Sequence, residues 1–413
     1  MIQVSIALLI SIAVLIAVSR YFKLHAFFAL LLAAVLFGLI MGKPFREIFT
    51  SMQSGFGLLL QQIGFLVAIG SCLGTMMEKT GAMATLGNKI ITAFGTSRTT
   101  LAMSVIGLLV GIPVFCDSGF IILSRLIPAL ASSAATPAQL SLALSTSLYT
   151  SHTLIPPTPG PLAAAANLGA TSHLGLVMLV GLIGAIPVAG VAYFLSCKLG
   201  LRIATTTPGI EPTEVRAHST ILIFLPLVIP IVLIALASLP TLNPALQSWS
   251  ILPVIGNPTV ALLIGLSFSF LLIRDKQKQI WPGWISQALK DAGIILLITG
   301  AGGAFGAVIK SSGIDVLLKD MLATSQAGGI LFLFIAFALA AILKTAQGSS
   351  TSASIITSSL LAPLTLAAGF SNPIDLATLV LAIGGGAMTV SHANDSYFWV
   401  VSQVWRYQRT RCL

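Results

Sequence analysis

The chain has 413 residues, of which 56% are hydrophobic and only 8% are charged. Soluble domains carry about 25% charged residues, so this composition excludes a protein with a fully water-exposed surface. The net charge of +10 does not indicate nucleic-acid binding, because the basic residues lie in short loops and form no basic domain. The four cysteines form no CxxC pair, and we predict neither a metal site nor another cofactor.

Uncharged apolar runs of membrane-spanning length recur along the chain. A spanning helix takes about 20 residues, and six runs approach or reach that length: Ile2–Ser19, Leu24–Met41, Leu174–Ser196, Thr220–Leu239, Pro258–Ile273 and Gly328–Leu343. Broken segments between them bring the predicted count to about 11 or 12 spans. The sequence therefore predicts an all-α membrane protein, a polytopic helical bundle with broken or re-entrant helices.

Parts of the sequence nearly repeat. Three glycines recur 232 positions later: Gly70, Gly74 and Gly81 correspond to Gly302, Gly306 and Gly313. Basic residues precede the span Leu24–Met41 but follow its counterpart, Pro258–Ile273, in the loop Arg274–Lys290. Because basic loops face the cytoplasm, the matched spans are expected to run in opposite directions. Inverted repeats with polar breaks at matching places are typical of secondary transporters.

The repeat predicts the domain organisation. We expect a first transmembrane repeat over 1–197, a cytoplasmic linker over 198–219 and a second repeat over 220–413. After His152 the first half continues through a full span, whereas only 21 residues (413 − 392) follow His392. The second repeat is therefore expected to lack its terminal span.

The first polar cluster, Gly111–Phe120, interrupts an otherwise spanning segment and contains Asp117. Proline and glycine break the helix there, and backbone groups freed at membrane depth must line a cavity or be buried in protein. A carboxylate at that depth is costly, which makes Asp117 a candidate for function. The alternative interpretation is a loop aspartate at the membrane surface.

The second polar cluster, Thr150–Pro161, has four prolines among its last six residues. We predict a helix end, an extended segment and a new helix starting near Pro161. The N–H groups and positive dipole end of that helix favour an anion. His152 is either a proton carrier or substrate contact, or a helix-capping residue with structural hydrogen bonds.

Two further clusters lie in the second half. Lys344–Ser352 is dense in hydroxyls and contains a flexible glycine, which suits a polyhydroxylated or carboxylate ligand at a broken helix. Lys344 either neutralises a carboxylate or extends to the membrane interface. In Ser391–Ser396, Asp395 either coordinates an ion or hydroxyl or caps a loop.

Two glycine-rich runs superficially resemble phosphate-binding loops. Gly300–Gly303 and Gly384–Gly386 lack the Gly-Lys-Ser/Thr ending and the preceding strand of a phosphate loop, so we predict close helix packing. The sequence contains no HExxH or GxSxG motif. An intramembrane hydrolase therefore finds no support, and we predict that the chain is not an enzyme.

Four motifs carry a family resemblance: FCDSGF at 115–120, SHTLIPPTPGP at 151–161, AQGSST at 346–351 and SHANDSYFW at 391–399. They resemble those of the gluconate permease family, the gluconate:proton symporters of bacterial inner membranes. The resemblance implies a multi-pass importer with re-entrant hairpins, in a wider group whose members include elevator-type transporters that are often dimers. Members of the family carry gluconate and related sugar acids, glycerate or D-serine. They usually continue into a further terminal span, whereas here the similarity stops near Trp405.

The leading hypothesis is a proton-coupled importer of gluconate or a related hydroxycarboxylate, with helix N-termini near Pro161 and Ser349 holding the carboxylate. The candidate substrate-binding residues are Ser118, Thr153, Thr158, Gln347, Ser349, Ser350, Asn394 and Ser396. The candidate proton carriers are Asp117, His152, His392 and Asp395, because acidic and histidine side chains at membrane depth form proton relays. The expected partners are the sugar acid, protons, membrane lipid and a second copy of the chain.

Three alternatives stay open. The first is an importer of the same family that carries glycerate or D-serine. The second is a passive channel for small anions, which the scarcity of charged rings disfavours. The third is a non-functional, truncated permease that lacks the terminal span.

Overall fold

The computed structural model describes residues 2–95, 98–112, 114–131, 135–201, 220–242, 252–273, 277–311, 328–391 and 395–405. The α-helices of these residues are, in chain order, α1 (Ile2–Tyr21), α2 (Ala26–Ile40), α3 (Phe45–Lys79), α4 (Ala82–Phe94), α5 (Thr99–Val110), α6 (Cys116–Leu123), α7 (Ile127–Leu130), α8 (Pro137–Leu154), α9 (Pro159–Asn167), α10 (Leu174–Leu199), α11 (Thr220–Leu242), α12 (Leu252–Ile255), α13 (Pro258–Phe270), α14 (Trp281–Ser311), α15 (Gly328–Gln347), α16 (Ser350–Leu361), α17 (Pro373–Ala387) and α18 (Ser396–Trp405). The predicted helical class is confirmed.

The apolar runs predicted as spans are all helical. They correspond to α1, α2, α10, α11, α13 and α15. Among the described residues, four helices are long and apolar enough to cross a membrane, namely α3, α10 with the turn before it, α14 and α15. Shorter apolar stretches lie in α1, α2, α5, α11, α13 and α17. The chain is therefore an all-α, polytopic membrane protein, and the count of 11 or 12 spans stays a prediction.

Helix boundaries recur at the offset found in the sequence. Adding 232 to Ala26, the first residue of α2, gives Pro258, the first residue of α13. Adding 232 to Lys79, the last residue of α3, gives Ser311, the last residue of α14. The helix order is thus repeated, while the opposite orientation of the repeats and their bounds stay predictions. Residues 202–219, most of the predicted linker, lie outside the described residues.

The predicted polar loop Arg274–Lys290 is wrong at its C-terminal end, because α14 already begins at Trp281. Polar side chains of this first part of α14 bond within the helix. Gln287 Nε2 donates to Asp291 Oδ1 at 2.9 Å, and Ser286 Oγ donates to the carbonyl oxygen of Pro282 at 3.2 Å. Side-chain pairs four residues apart stabilise a helix with a polar surface, so the polar composition of this segment does not indicate a loop.

Close contacts divide the chain into two compact units. The first unit comprises Met1–Val67, Pro159–Val180 and Ala292–Asp395. Its centre is α16, which packs against α9, α15 and α17 and is buried at every residue except Thr351. A short helix rich in serine and threonine can exist at membrane depth only where protein surrounds it, because lipid satisfies no polar group.

Glycines let the helices of the first unit approach closely. A Cβ added to Gly302 would lie 2.5 Å from Ile355 Cγ2, and one added to Gly386 would overlap the carbonyl oxygen of Phe337. Any larger residue would therefore push α14 away from α16, or α17 away from α15. The prediction that the two glycine-rich runs serve close helix packing is confirmed.

The second unit comprises Ala68–Thr158, Gly181–Asp291 and Ser396–Leu413. Within it α8 packs against α5, α6 and α7 and is buried along most of its length. The α18 helix packs against α6. The ring of Tyr397 in α18 stacks on Tyr149 with centroids 5.2 Å apart, and its hydroxyl donates to the carbonyl oxygen of Ser145 at 2.8 Å. These contacts fix the start of α18 against α8.

Candidate functional site

The break predicted in Lys344–Ser352 separates α15 from α16. The α15 helix ends at Gln347, and Gly348 has a φ of +81°. Only glycine adopts this conformation without strain, which lets the chain turn between the two helices. Ser349 is the N-cap of α16, and its hydroxyl accepts a hydrogen bond from the Ser352 N–H at 3.2 Å. The break therefore presents a helix N-terminus inside the first unit.

A buried ion pair lies at this break. Lys344 Nζ is 2.6 Å from Asp395 Oδ2, and the two side chains are 0% and 5% exposed. Lys344 Nζ also donates to the carbonyl oxygen of Gly348 at 2.6 Å. The Ser391 hydroxyl donates to Asp395 Oδ2 at 2.6 Å. Of the two interpretations of Lys344, extension to the interface is wrong, because its ammonium group neutralises the carboxylate of Asp395.

The pair joins positions 51 residues apart in the sequence. Removing one partner of a buried pair leaves an uncompensated charge and costs about 3–5 kcal/mol. The pair therefore holds the break between α15 and α16 next to Asp395, the last residue of the first unit. The two charges of the pair balance each other.

The second broken segment lies between α8 and α9. Ile155 is extended, with φ −118° and ψ 118°, and α9 begins at Pro159, close to the predicted start at Pro161. A Cβ added to Gly160 would lie 3.5 Å from Ser354 Oγ and 3.6 Å from Thr351 Cα. The first turns of α9 and α16 therefore lie side by side. Pro159 and Pro161 carry no N–H group, so Gly160 is the N–H donor among the first three residues of α9. The positive dipole ends of the two helix N-termini form an environment that favours an anion.

Gln347 adds an unsatisfied amide to this region. Its Nε2 and Oε1 atoms are both buried and have no hydrogen-bond partner among the described residues. Buried amides left unpaired are rare in native structures and cost about 1–3 kcal/mol. The neighbouring Ser350 is buried as the first residue of α16. The amide and the hydroxyl are suited to pair with the hydroxyls of a ligand.

Asn167, the last residue of α9, is a structural residue that the sequence did not single out. Its Nδ2 donates to Ser358 Oγ at 2.8 Å, to Ser359 Oγ at 3.0 Å and to the carbonyl oxygen of Ile355 at 3.2 Å. These bonds fasten the end of α9 to the middle of α16. The sequence could have indicated it, because Asn167 is a single amide that directly follows four alanines.

In the second unit the break predicted in Gly111–Phe120 separates α5 from α6. Phe115 is the extended N-cap of α6, which places Asp117 in the first helical turn, where a negative charge is favourable. His152 is buried near the end of α8, and its ring centroid is 6.1 Å from that of Phe115. The predicted proton carriers Asp117 and His152 therefore lie on adjoining elements.

Several other predicted site residues bond within their own segments. Thr153 Oγ1 donates to the carbonyl oxygen of Tyr149 at 2.9 Å, and Thr158 Oγ1 donates to that of Ile155. Such bonds satisfy a hydroxyl inside an apolar environment. Ser118 follows Asp117 in α6 and is partly exposed.

The remaining predicted residues have no described side chain. His392 and Asn394 lie outside the described residues, and the side chain of Ser396 is likewise not described. Within the described part of the chain, no three His, Cys, Asp or Glu side chains cluster to hold a metal ion.

Comparisons with known proteins place the chain in a family. It matches the family described as GntP family permease over residues 3–410. A gluconate permease of Pseudomonas aeruginosa is 33% identical, and the alignment covers 96% of this chain and 89% of that protein. The inner membrane permease YgbN of Escherichia coli is also 33% identical, over 92% of this chain and 87% of that protein.

A solved structure agrees with the fold. The crystal structure of the Alcanivorax borkumensis YdaH transporter aligns with a TM-score of 0.57 at 16% identity, over 88% of this chain and 81% of that chain. At this identity the likeness concerns the fold alone. The predicted resemblance is confirmed by the family match: the chain belongs to the GntP family of permeases and is a multi-pass inner-membrane transport protein, not an enzyme.

Proposed function

We propose that the chain imports gluconate or a related sugar acid together with protons. The observation that carries this proposal is the break at Gly348, where a helix N-terminus, the unpaired amide of Gln347 and the buried ammonium group of Lys344 occur within six residues of sequence. Membership of the GntP family and the similarity to a gluconate permease support the choice of substrate.

The chemistry of a sugar acid fits this region. Its carboxylate would lie against the N–H groups at the start of α16 and the N–H group of Gly160 in α9, which lies next to Thr351. Its hydroxyls would pair with the Gln347 amide and the Ser350 hydroxyl. A few polar groups that converge in apolar surroundings are typical of small-molecule sites.

Proton coupling is the second part of the proposal. Asp117 lies partly buried in the first turn of α6, Asp395 is buried beside Lys344, and His152 is a buried histidine near a helix end. Ionisable groups at membrane depth commonly mark proton pathways in transporters. Each of these three side chains is a candidate carrier of the coupled proton. Accumulation that is fully retained in Asp117→Asn vesicles removes Asp117 from this group.

The test is uptake of labelled gluconate into vesicles that contain the chain, with and without an imposed pH gradient. We expect gradient-driven accumulation that unlabelled sugar acids compete away. Uptake that only equilibrates refutes coupling, and electrical current without saturation indicates a passive channel. Competition by glycerate or D-serine but not by gluconate assigns a different substrate. Vesicles that hold the protein but show no uptake refute gluconate import.

A further inference from the structure

We infer that Lys344 and Asp395 form an exchangeable pair that couples one proton to one substrate anion. Protonation of Asp395 releases the Lys344 ammonium group, which then pairs with the substrate carboxylate. This inference rests on the proposed function and goes beyond it by assigning the coupled proton and the anion's partner to two named side chains.

Geometry places the pair at the proposed site of the carboxylate. Lys344 Nζ is hydrogen-bonded to the carbonyl oxygen of Gly348, the residue before the N-cap of α16. The ammonium group therefore lies at the break itself, close in sequence to the N–H groups that are proposed to meet the anion. A charge-assisted bond from Lys344 to the substrate would add to those N–H groups.

Charge balance is the main argument. In the structure the ammonium and carboxylate groups neutralise each other at 2.6 Å, almost without solvent. An anion that arrives beside them would add an uncompensated negative charge in a medium of low dielectric, which is strongly unfavourable. A proton taken from the outer water onto Asp395 removes that excess. The site then holds one ammonium group, one neutral acid and one substrate anion, so its net charge is zero before and after binding.

Ser391 allows the carboxyl group to change state without losing its partner. Its hydroxyl donates to Asp395 Oδ2 at 2.6 Å while the carboxylate is ionised. A hydroxyl is both donor and acceptor, so it can accept a hydrogen bond from the protonated acid. When the anion and the proton leave to the inside, Asp395 ionises and pairs again with Lys344.

Few other ionisable groups lie on the helices around the pair. The α9 and α16 helices contain none, and Lys344 is the only one in α15. The α17 helix carries Asp375 in its first turn, and the part of α14 in this unit carries the exposed Lys310 in its last turn. The α1 helix, which packs on α15, carries Arg20 and Tyr21 at its end. Among these described helices, the ionisable group that pairs with Asp395 is Lys344.

The experiment measures gluconate binding as a function of pH and gradient-driven accumulation in the same preparations. The variants are Asp395→Asn, Lys344→Met and the double variant, and the controls are the exposed Asp291→Asn and Lys310→Met on α14. In the wild type we expect the Kd for gluconate to rise with pH, by up to about tenfold per pH unit for one linked proton. The two control variants are expected to keep this slope.

Each variant has a distinct expected result. Asp395→Asn imitates the protonated acid, so it should bind gluconate with a Kd independent of pH, and its vesicles should equilibrate gluconate without accumulating it. The double variant leaves no unpaired buried charge and should insert normally, but it should bind gluconate at least about tenfold more weakly than Asp395→Asn. If Lys344→Met alone fails to fold, the double variant still tests whether Lys344 binds the anion.

Three results overturn the inference. Accumulation with a normal pH slope in Asp395→Asn vesicles places the coupled proton on another residue. Wild-type affinity in the double variant excludes Lys344 as the anion's partner. Wild-type vesicles that contain the protein but accumulate no gluconate refute the proposed function, and the inference falls with it; the first two results leave the proposed function intact.

Discussion

The bonds of Asn167 give a prediction about stability that can be worked from the structure. We expect Asn167→Ala to destabilise the protein by about 1–3 kcal/mol. The Nδ2 group has two hydrogens and three acceptors within 3.2 Å, so it makes two strong bonds at a time. Side-chain hydrogen bonds in membrane proteins contribute about 0.6 kcal/mol each on average, and up to about 1.5 kcal/mol elsewhere.

The hydrogen-bond partners of Asn167 on α16 do not add to the loss of stability when its amide is removed. The hydroxyls of Ser358 and Ser359 also donate to the carbonyl oxygen of Ile355, at 3.0 and 2.7 Å. Both donors therefore stay satisfied within α16 when the amide is removed. The loss is confined to the bonds between α9 and α16 and to the small cavity that the shorter side chain leaves.

The assay is thermal unfolding in detergent, measured for Asn167→Ala, Ser358→Ala and the double variant. A double-mutant cycle should give a coupling energy of about 0.5–1.5 kcal/mol, because the two side chains contact each other directly. Asn88→Ala on α4 is the matched control, since its amide makes no hydrogen bond to the described residues. The reasoning is refuted if Asn167→Ala costs no more than Asn88→Ala, or if the cycle gives no coupling.

Three further predictions concern contacts within one unit. Gly386→Ala should lower the free energy of unfolding by about 1–3 kcal/mol, because its methyl group would overlap the backbone of α15. The control Gly385→Ala should be nearly neutral in the same unfolding assay, because its Cβ would lie 3.6 Å from the nearest atom. Tyr397→Phe should cost about 1 kcal/mol by losing its hydroxyl bond while its ring stacking remains, and equal unfolding temperatures of the two proteins would contradict this. Lys344→Met should cost about 3–5 kcal/mol and should be partly rescued by Asp395→Asn, and a double variant that is less stable than the single variant would speak against the buried pair.

Local breaks in the helices could be predicted from the sequence because their causes are local. The prolines after Ile155 end α8, and Gly348 supplies the positive φ that separates α15 from α16. Both effects depend on the residue and its immediate neighbours alone. The start of α14 was predicted wrongly because its residues are polar, as in a loop. In the structure these polar side chains bond to each other within the helix and stabilise it.

Partners distant in sequence could not be predicted. Asn167 bonds to serines about 190 positions away, and Lys344 pairs with Asp395 at a separation of 51. Nothing in the local sequence of Lys344 distinguishes an ammonium group that neutralises a carboxylate from one that extends to the interface. Only the packing of α15 against α16 and α17 decides between them.

The density of polar residues is therefore a weaker guide to the site than the way in which each polar group is satisfied. The hydroxyls of Thr150 and Thr153 are common in these helices, but each donates to a carbonyl oxygen of its own helix and so has a sufficient structural role. Gln347 differs, because its buried amide has no partner within the described residues. Lys344 and Asp395 differ as well, because their charges pair with each other across 51 residues of sequence. Under the proposed function, a transported anion and its proton would replace interactions of this second kind without unfolding a helix, so the break at Gly348 is the first place to test.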